Sequence, residues 1–379
     1  MPRIFYSLLI LGFSFFVSAQ QYDYSIGRET EKVDSVFQLI TKYQSFGPKP
    51  TGSAALDSVK DWLIAKYIDY GYSSSHIFED TFNNGNAYNL IINKPGTETN
   101  KWIIVCAHYD SYGQSPGAND NGSGTVALLQ IAKIIKDIDC KIGIRLIHFS
   151  AEEQGLLGSF HYVNNTLGSE DIQLVLNLDQ LGGTKGANNS KITCERDEDD
   201  SPLSNNALSS LKTDTLAQLI ANYTYLTPVR NKAYSSDYVP FEDKGYVITG
   251  LYQESDYSTF YHNENDEIEN MDIDATTEVI RGALAATMYF GRNLLPVNIE
   301  NRHQSNLLIY PNPTQNQFYI RSNSTHLVNV TIRSSLGELV QKQQSFTNQV
   351  IKLNSLVDGL YSVSIYSQEG TLKSTARLI

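Results

Sequence analysis

Apolar runs of strand length alternate with longer, helically periodic segments between residues 31 and 295. The runs that predict strands cover residues 88–93, 102–107, 142–149, 174–178 and 246–252. Such alternation is typical of strands that pair in parallel and are covered by helices. We therefore expect an α/β fold with a mostly parallel central sheet flanked by helices.

The clearest helical pattern lies between the second and third predicted strands, over residues 124–137, where the polar side chains share one narrow stripe. This pattern predicts a helix that is mostly buried against the sheet. Further helices are expected at 32–43, 54–70 and 275–294. Residues 182–210 show no clear period and carry an acidic cluster at 195–200. We interpret them as an exposed insertion with solvated charges.

The pattern changes after Pro296 to short alternating strands, with apolar positions at Val328, Val330, Ile332, Tyr361, Val363 and Ile365. This alternation predicts a small C-terminal β-sandwich. We expect the α/β domain to cover residues 20–296, a polar linker 297–305, and the β-domain 306–379.

The first 19 residues read as a signal peptide. One basic residue, Arg3, precedes an apolar stretch, and Val17-Ser18-Ala19 forms a small-residue cleavage pattern before Gln20. The alternative is a membrane anchor, but a spanning helix needs about 20 apolar residues. We expect an exported protein without a transmembrane segment.

Charge and cysteine content narrow the function further. The 379 residues carry a net charge of -12 and no run of basic residues. This argues against nucleic acid or an anionic membrane as the main partner and favours a peptide or other small substrate. The three cysteines, Cys106, Cys140 and Cys194, permit at most one disulfide, whose pairing the sequence leaves open.

Acidic and imidazole side chains follow three of the predicted strands directly: His108 and Asp110 the second strand, Glu152 and Glu153 the third, and Asp179 the fourth. In open α/β sheets the ligand site lies beyond the carboxyl ends of the strands. We therefore expect these side chains to converge.

Asp120 lies in the glycine-rich segment 117–124, directly before the buried helix. It is either the N-cap of that helix or a carboxylate that the flexible loop aims at the strand ends. Beside His108 and Glu153, the second interpretation is favoured.

Four carboxylates gathered at one place would repel one another, and two divalent cations would balance them. These four are Asp120, Glu152, Glu153 and Asp179. Together with His108 and His262 they form a mixed nitrogen and oxygen donor set, which suits zinc and also cobalt or manganese. A single catalytic ion needs only three protein ligands, so the two histidines, Asp120, Asp179 and one of the paired glutamates, five ligands in all, fit two ions. The other glutamate is then free to move protons, as a hydrolase requires.

From about residue 47 to residue 294 the chain resembles the M28 family of zinc aminopeptidases. The resemblance rests on 107–111, 117–124, 151–159 and 177–179, and on Tyr261-His262 with Asp266. It implies two Zn2+ ions and the removal of N-terminal residues from peptides with a free N-terminus. The metal ligands it implies are His108 and Asp179 on one ion, Glu153 and His262 on the other, and Asp120 between them. Glu152 would be the general base and Asp110 would orient His108.

One segment departs from the family pattern, since Ser236-Asp237-Tyr238 stands where the family often has Ser-Asp-His. Tyr234, just before it, is either an oxyanion stabiliser or a core tyrosine.

The end of the chain resembles the C-terminal sorting domain of type IX secretion cargo, through residues 310–314, 359–361 and 377–379. This resemblance implies that the type IX secretion machinery is a partner and that the protein is extracellular or on the outer-membrane surface. The alternative is an adhesive or carbohydrate-binding β-module.

Three other functions fit the same scaffold. A glutaminyl cyclase would use one zinc, so the metal count separates it from the peptidase. A carboxypeptidase would differ in its response to N-blocked and C-blocked peptides. A non-catalytic binding protein would lack ligands or base, whereas six separate groups are present here.

Overall fold

The structure is a computed structural model, and it describes residues 23–198, 201–254, 259–292, 308–310, 314, 316–322, 324–334, 338–354, 356–357, 359, 361–368 and 372–378. It divides into two compact units, Met1–Leu295 and Pro296–Ile379. The predicted signal peptide 1–19 and linker 297–305 lie outside the described residues.

Helices and strands alternate along the described part of the first unit. Its strands are β1 Ile77–Phe82, β2 Ala87–Lys94, β3 Lys101–His108, β4 Gly143–Phe149, β5 Asp171–Leu178, β6 Lys191–Arg196, β7 Thr227–Lys232 and β8 Ile248–Gln253. Its α-helices are α1 Tyr24–Thr30, α2 Val36–Gln44, α3 Ala54–Asp69, α4 Gly122–Ile135, α5 Leu157–His161, α6 Asn206–Tyr223, α7 Val239–Glu242 and α8 Ile273–Arg292.

The eight strands form one sheet in the order β1-β2-β4-β3-β5-β8-β6-β7. The four central strands, β4, β3, β5 and β8, are mutually parallel, and antiparallel pairs join β2 and β6 to them. The α/β fold with a mostly parallel central sheet is thus confirmed. The chain passes from β3 to β4 on one side and then crosses to β5 on the other, so its direction reverses at β3, where α/β sheets bind ligands.

Two apolar layers cover the sheet, and the alternation along β3 shows both. Ile103 and Val105 belong to the buried cluster that contains apolar residues of α2, α3, α4, α6 and α8. Ile104 and Cys106 belong to a second cluster that includes Phe241 of α7. Since successive side chains of a strand point to opposite faces, β3 is buried on both. The three cysteines are buried and free.

The interpretation of 182–210 as an exposed insertion is wrong. This segment contains β6, which pairs with β8 and β7 inside the sheet, and it includes the start of α6. Cys194 and Glu195 are buried. The acidic cluster was misleading because its first member lies on a strand and faces the interior of the unit.

The second unit is an antiparallel β-structure, as predicted. Its sheets are β9 Leu308–Tyr310, β10 Gln317–Arg321 and β13 Val350–Lys352 in the order β13-β10-β9, and β11 Leu327–Ser334, β12 Leu339–Phe346, β14 Tyr361–Tyr366 and β15 Leu372–Leu378 in the order β12-β11-β14-β15. Phe318 and Ile351 of the first sheet share one buried cluster with Val330 and Val363 of the second.

Among the residues that the structure describes, no helix is long and apolar enough to cross a membrane.

Candidate metal centre

The ends of β3 and β5 bring one imidazole and one carboxylate together. His108, the last residue of β3, and Asp179, the residue after β5, are both buried. The Nε2 atom of His108 lies 3.4 Å from Asp179 Oδ1 and 3.2 Å from Asp120 Oδ1. These three side chains form the first half of the site.

The second half lies on the other side of Asp120. His262 Nε2 is 2.9 Å from Glu153 Oε2 and 3.3 Å from Asp120 Oδ2. The two oxygens of Asp120 therefore face different imidazoles, one in each half. All five ligands expected from the sequence meet at one place, and their part in metal binding stays a prediction.

Asp120 is not the N-cap of α4. The cap is Asn121, whose side-chain oxygen accepts a hydrogen bond from Gly124 N at 2.9 Å. The backbone amides of Asn119 and Asp120 instead donate to the carboxylate of Asp266, at 3.0 and 2.9 Å. Because Asp266 fixes this loop, the side chain of Asp120 is directed into the site rather than along the helix.

Asp110 contacts both His108 and the turn that carries the two glutamates. Its main-chain oxygen is 3.2 Å and its Oδ1 atom 3.7 Å from His108 Nδ1. The same carboxylate accepts hydrogen bonds from the backbone amides of Glu152 and Glu153, at 3.2 and 3.4 Å. Asp110 can therefore orient the imidazole, as expected, and it also fixes the turn that carries the two glutamates.

Ser236 supports Asp179 in a way that the sequence did not reveal. Its hydroxyl donates to Asp179 Oδ2 at 2.7 Å and accepts from Asn177 Nδ2 at 2.9 Å. The sequence departs from the family pattern in this segment at Tyr238, which is buried and donates to Glu195 Oε1 at 3.0 Å. The tyrosine thus pairs with a glutamate that had been predicted to be solvated.

Burial and neighbouring charges shift the pKa values of the ionisable side chains in the site. Burial and the neighbouring carboxylates raise the pKa of Glu152 well above its usual range, although His108 acts in the opposite direction. Burial likewise raises the pKa of Glu153 to about 7. For His262 burial lowers the pKa, but the facing carboxylates of Asp120 and Glu153 outweigh it and raise the value to about 9. Ionising all these acids together requires compensating positive charge.

The donor set fits divalent metal ions. Asp120 Oδ2, Glu153 Oε1 and Asp179 Oδ1 are buried and make no hydrogen bond within the described part of the chain. The donor atoms of His108, Asp120 and Asp179 lie within 4.8 Å of one another, and so do those of Asp120, Glu153 and His262. Imidazole and carboxylate donors without thiolate suit zinc.

A pocket opens beside these groups. Its walls include Glu152, Glu195, Tyr234, Tyr252 and Tyr261. Tyr234 is 59% exposed, so its interpretation as a core tyrosine is wrong. Glu195 is buried at the pocket, and burial raises its pKa to about 8.

Imidazole and carboxylate donors at the carboxyl ends of central parallel strands, beside a pocket, are typical of metal-dependent hydrolases of the α/β class. The profile of Peptidase family M28 matches residues 89–287, and the chain belongs to this family of zinc-dependent exopeptidases. A second profile, Secretion system C-terminal sorting domain, matches residues 308–379 and points to a secreted or cell-surface protein.

Proteins named as aminopeptidases are among those similar to this chain in sequence or in fold. Aminopeptidase YwaD of Bacillus subtilis is 35% identical over 203 residues, which is 50% of this chain and 42% of that protein. The chain therefore spans less than half the length of this curated relative. The LapA aminopeptidase of Legionella pneumophila has a TM-score of 0.64 at 20% identity, covering 78% of this chain and 81% of that one. A glutaminyl cyclase of Bacteroides thetaiotaomicron reaches 0.58 at 18% identity, covering 68% and 97%. These two structures establish the fold alone.

Proposed function

We propose that the chain is a secreted aminopeptidase that uses two zinc ions to release N-terminal residues from peptides. The observation that carries this proposal is the division of the Asp120 carboxylate between two donor groups, His108 with Asp179 and Glu153 with His262. A carboxylate shared in this way is typical of a pair of ions rather than a single one.

The residues divide into those that would bind the metal ions and one that moves protons. His108 and Asp179 would hold one ion, Glu153 and His262 the other, and Asp120 both. When bound, the ions supply Lewis acidity for the scissile carbonyl and lower the pKa of water towards about 7. Glu152, in the pocket wall, accepts the proton of the attacking water and passes it to the leaving amine. Asp110 holds Glu152 in place through the amide hydrogen bond.

Metal analysis combined with a substrate panel tests this proposal. The purified protein should contain about two zinc ions per chain and hydrolyse aminoacyl-arylamides but not their N-acetylated counterparts. A strong chelator should abolish hydrolysis, and added zinc should restore it. Three outcomes would contradict the proposal: full activity without metal, release of residues from the C-terminus, or one zinc with cyclisation of N-terminal glutamine.

The proposed route of secretion uses both ends of the chain. Residues 1–19 direct passage across the inner membrane, and residues 306–379 are recognised by the type IX secretion machinery. The peptidase domain is assigned to 20–296 and the linker to 297–305. The match of the sorting-domain profile to residues 308–379 supports the role proposed for residues 306–379. A truncated chain tests this role, as described in the Discussion.

A further inference from the structure

The imidazole of His262 is stacked against two tyrosine rings. The ring centroid of Tyr112 lies 4.2 Å from that of His262, with 7° between the planes. The ring of Tyr261 lies 3.6 Å away at 22°. Two rings cannot occupy the same face of one imidazole at these distances, so His262 is held between them.

The two histidines of the site are supported by different means. His108 is almost fully buried, and its Nδ1 atom contacts Asp110. The side chain of His262 is 27% exposed, its backbone has φ of 59°, and no hydrogen bond to its Nδ1 atom occurs among the described residues. A metal-bound histidine is normally oriented by a hydrogen bond from its second ring nitrogen. Apart from the carboxylates that face Nε2, the described contacts that can set the plane of the His262 ring are the two tyrosines.

The position of Tyr112 is fixed by the loop that carries it. Ser115 N donates to the main-chain oxygen of Tyr112 at 2.8 Å, which closes a turn. The hydroxyl of Ser111 donates to Ser115 O at 2.8 Å and accepts from Lys49 N at 2.9 Å. Although the tyrosine side chain is 47% exposed, its backbone is therefore held in place, and the same loop that follows His108 reaches across to His262.

We propose that Tyr112 is a positioning residue for His262, because its ring holds the imidazole in the plane that presents Nε2 to Asp120 and Glu153. This inference rests on the proposed two-ion function. Coordination places positive charge on the imidazole, and the face of a tyrosine ring attracts cationic groups within about 6 Å. The contact therefore stabilises the ion-bound orientation, and it serves the half of the site that lacks the buried support given to His108.

The test uses the full chain after removal of metal, with zinc added against a competing chelator. Tyr112→Leu removes the flat ring, and we expect the affinity for one of the two zinc equivalents to fall about 10-fold or more, as for other groups that orient metal ligands. Tyr112→Phe keeps the ring and should retain the wild-type affinity. Tyr225→Leu is the matched control, since this tyrosine is 55% exposed and does not line the pocket.

A second measurement needs neither bound metal nor turnover. In the metal-free protein with isotope-labelled histidines, the ring protons of His262, assigned through His262→Gln, should be shifted upfield by the two tyrosine rings. The shift should shrink in Tyr112→Leu and persist in Tyr112→Phe. Wild-type behaviour of Tyr112→Leu in both measurements would overturn the inference, as would equal losses in the leucine and phenylalanine variants. A wild-type chain that binds fewer than two ions would instead contradict the proposed function, while the proton shifts would still report on the stack.

Discussion

Two adjacent glutamates, Glu152 and Glu153, occupy different surroundings within a single turn. Glu153 contacts His262 at 2.9 Å. Glu152 lines the pocket, and among the described residues it forms no ion pair with either histidine. Both amides are held by Asp110, so one carboxylate fixes the turn from which the two side chains diverge. This difference supports separate roles that substitution can distinguish.

Glu152→Gln should lower kcat by a factor on the order of 100 to 10,000, the usual contribution of a general base, while zinc content stays close to that of the wild type. Glu153→Gln should instead lower zinc content, because it removes a charged donor. Turnover of an aminoacyl-arylamide and zinc per chain are measured on the same preparations. The reverse pattern would show that base and ligand have been exchanged.

At the scale of elements, the contact between α3 and the sheet includes a buried histidine. His148 of β4 is fully buried, and its Nε2 atom lies 2.7 Å from the hydroxyl of Tyr67 in α3. Burial lowers the pKa of His148 to about 3. The ordinary value in an unfolded chain is about 6.5, so between these values the unfolded state binds a proton that the folded state excludes.

His148 should therefore make the protein less stable in acid. Its contribution is complete above about pH 6.5 and is lost as the pH falls towards 3, at roughly 1.4 kcal/mol of unfolding free energy per pH unit. In His148→Gln, urea unfolding between pH 7 and 4 should show a shallower loss than in the wild type. His76→Gln, at a partly exposed site in the same unit, is the control. Equal slopes in the wild type and His148→Gln would contradict the prediction.

The start of α4 packs so closely on the end of β5 that it requires glycine. A Cβ atom on Gly124 would collide with the main-chain oxygen of Leu178 and the side-chain oxygen of Asn121. We expect Gly124→Ala to lower the unfolding free energy by about 1–3 kcal/mol, as overpacking does. It should also reduce zinc content, since Asp120 and Asp179 lie on the two segments forced apart.

Gly168→Ala is the matched control for this substitution. There the nearest atom to an added Cβ is the end of the flexible Glu170 side chain, at 2.9 Å. Urea unfolding and zinc content should distinguish the two alanine variants. If both behaved alike, close packing at the start of α4 would not be what positions the site.

Elements with continuous apolar runs were predictable, and those with mixed composition were not. The five predicted strands correspond to β2, β3, β4, β5 and β8 because each is buried over most of its length. Strands β1 and β7 lie at the edges of the sheet and are largely exposed, so polar residues mask them. Strand β6 was missed because its charged residues suggested a solvated loop.

The candidate ligands were predictable for a similar reason. His108, Glu153 and Asp179 lie at or shortly after the ends of strands, and parallel strands bring such positions together. Asp110 was also expected beside His108, but the contacts of Ser236 and Tyr112 were not predictable, because these residues lie far in the sequence from Asp179 and His262 and reach them through the shapes of their loops. Hydrophobic periodicity does not encode such loop shapes.

At the scale of the whole molecule, the two units have separate cores, and every candidate ligand lies in the first. A chain that ends at Asn298 should therefore fold and hydrolyse aminoacyl-arylamides with nearly unchanged kcat and KM, because a domain with its own core folds alone. In the native host it should cross the inner membrane and accumulate in the periplasm. Cell fractionation with activity assays measures both effects.

Two outcomes would contradict this prediction. An inactive truncated protein would mean that the second unit contributes to the catalytic fold. Normal release of the truncated protein into the medium would mean that residues 306–379 are a binding module, and the sorting assignment would be wrong.

The scatter of the proposed ligands along the chain also has a consequence for when metal can bind. His108 and His262 lie 154 positions apart, as their residue numbers show, and the loop that carries Asp120 between them is held by a hydrogen bond to Asp266. A chain threaded unfolded through the inner membrane carries these donors too far apart to chelate an ion. On the proposed route, zinc loading would follow translocation, so the cytoplasm would not be exposed to the proposed peptidase activity and the periplasm would supply the metal.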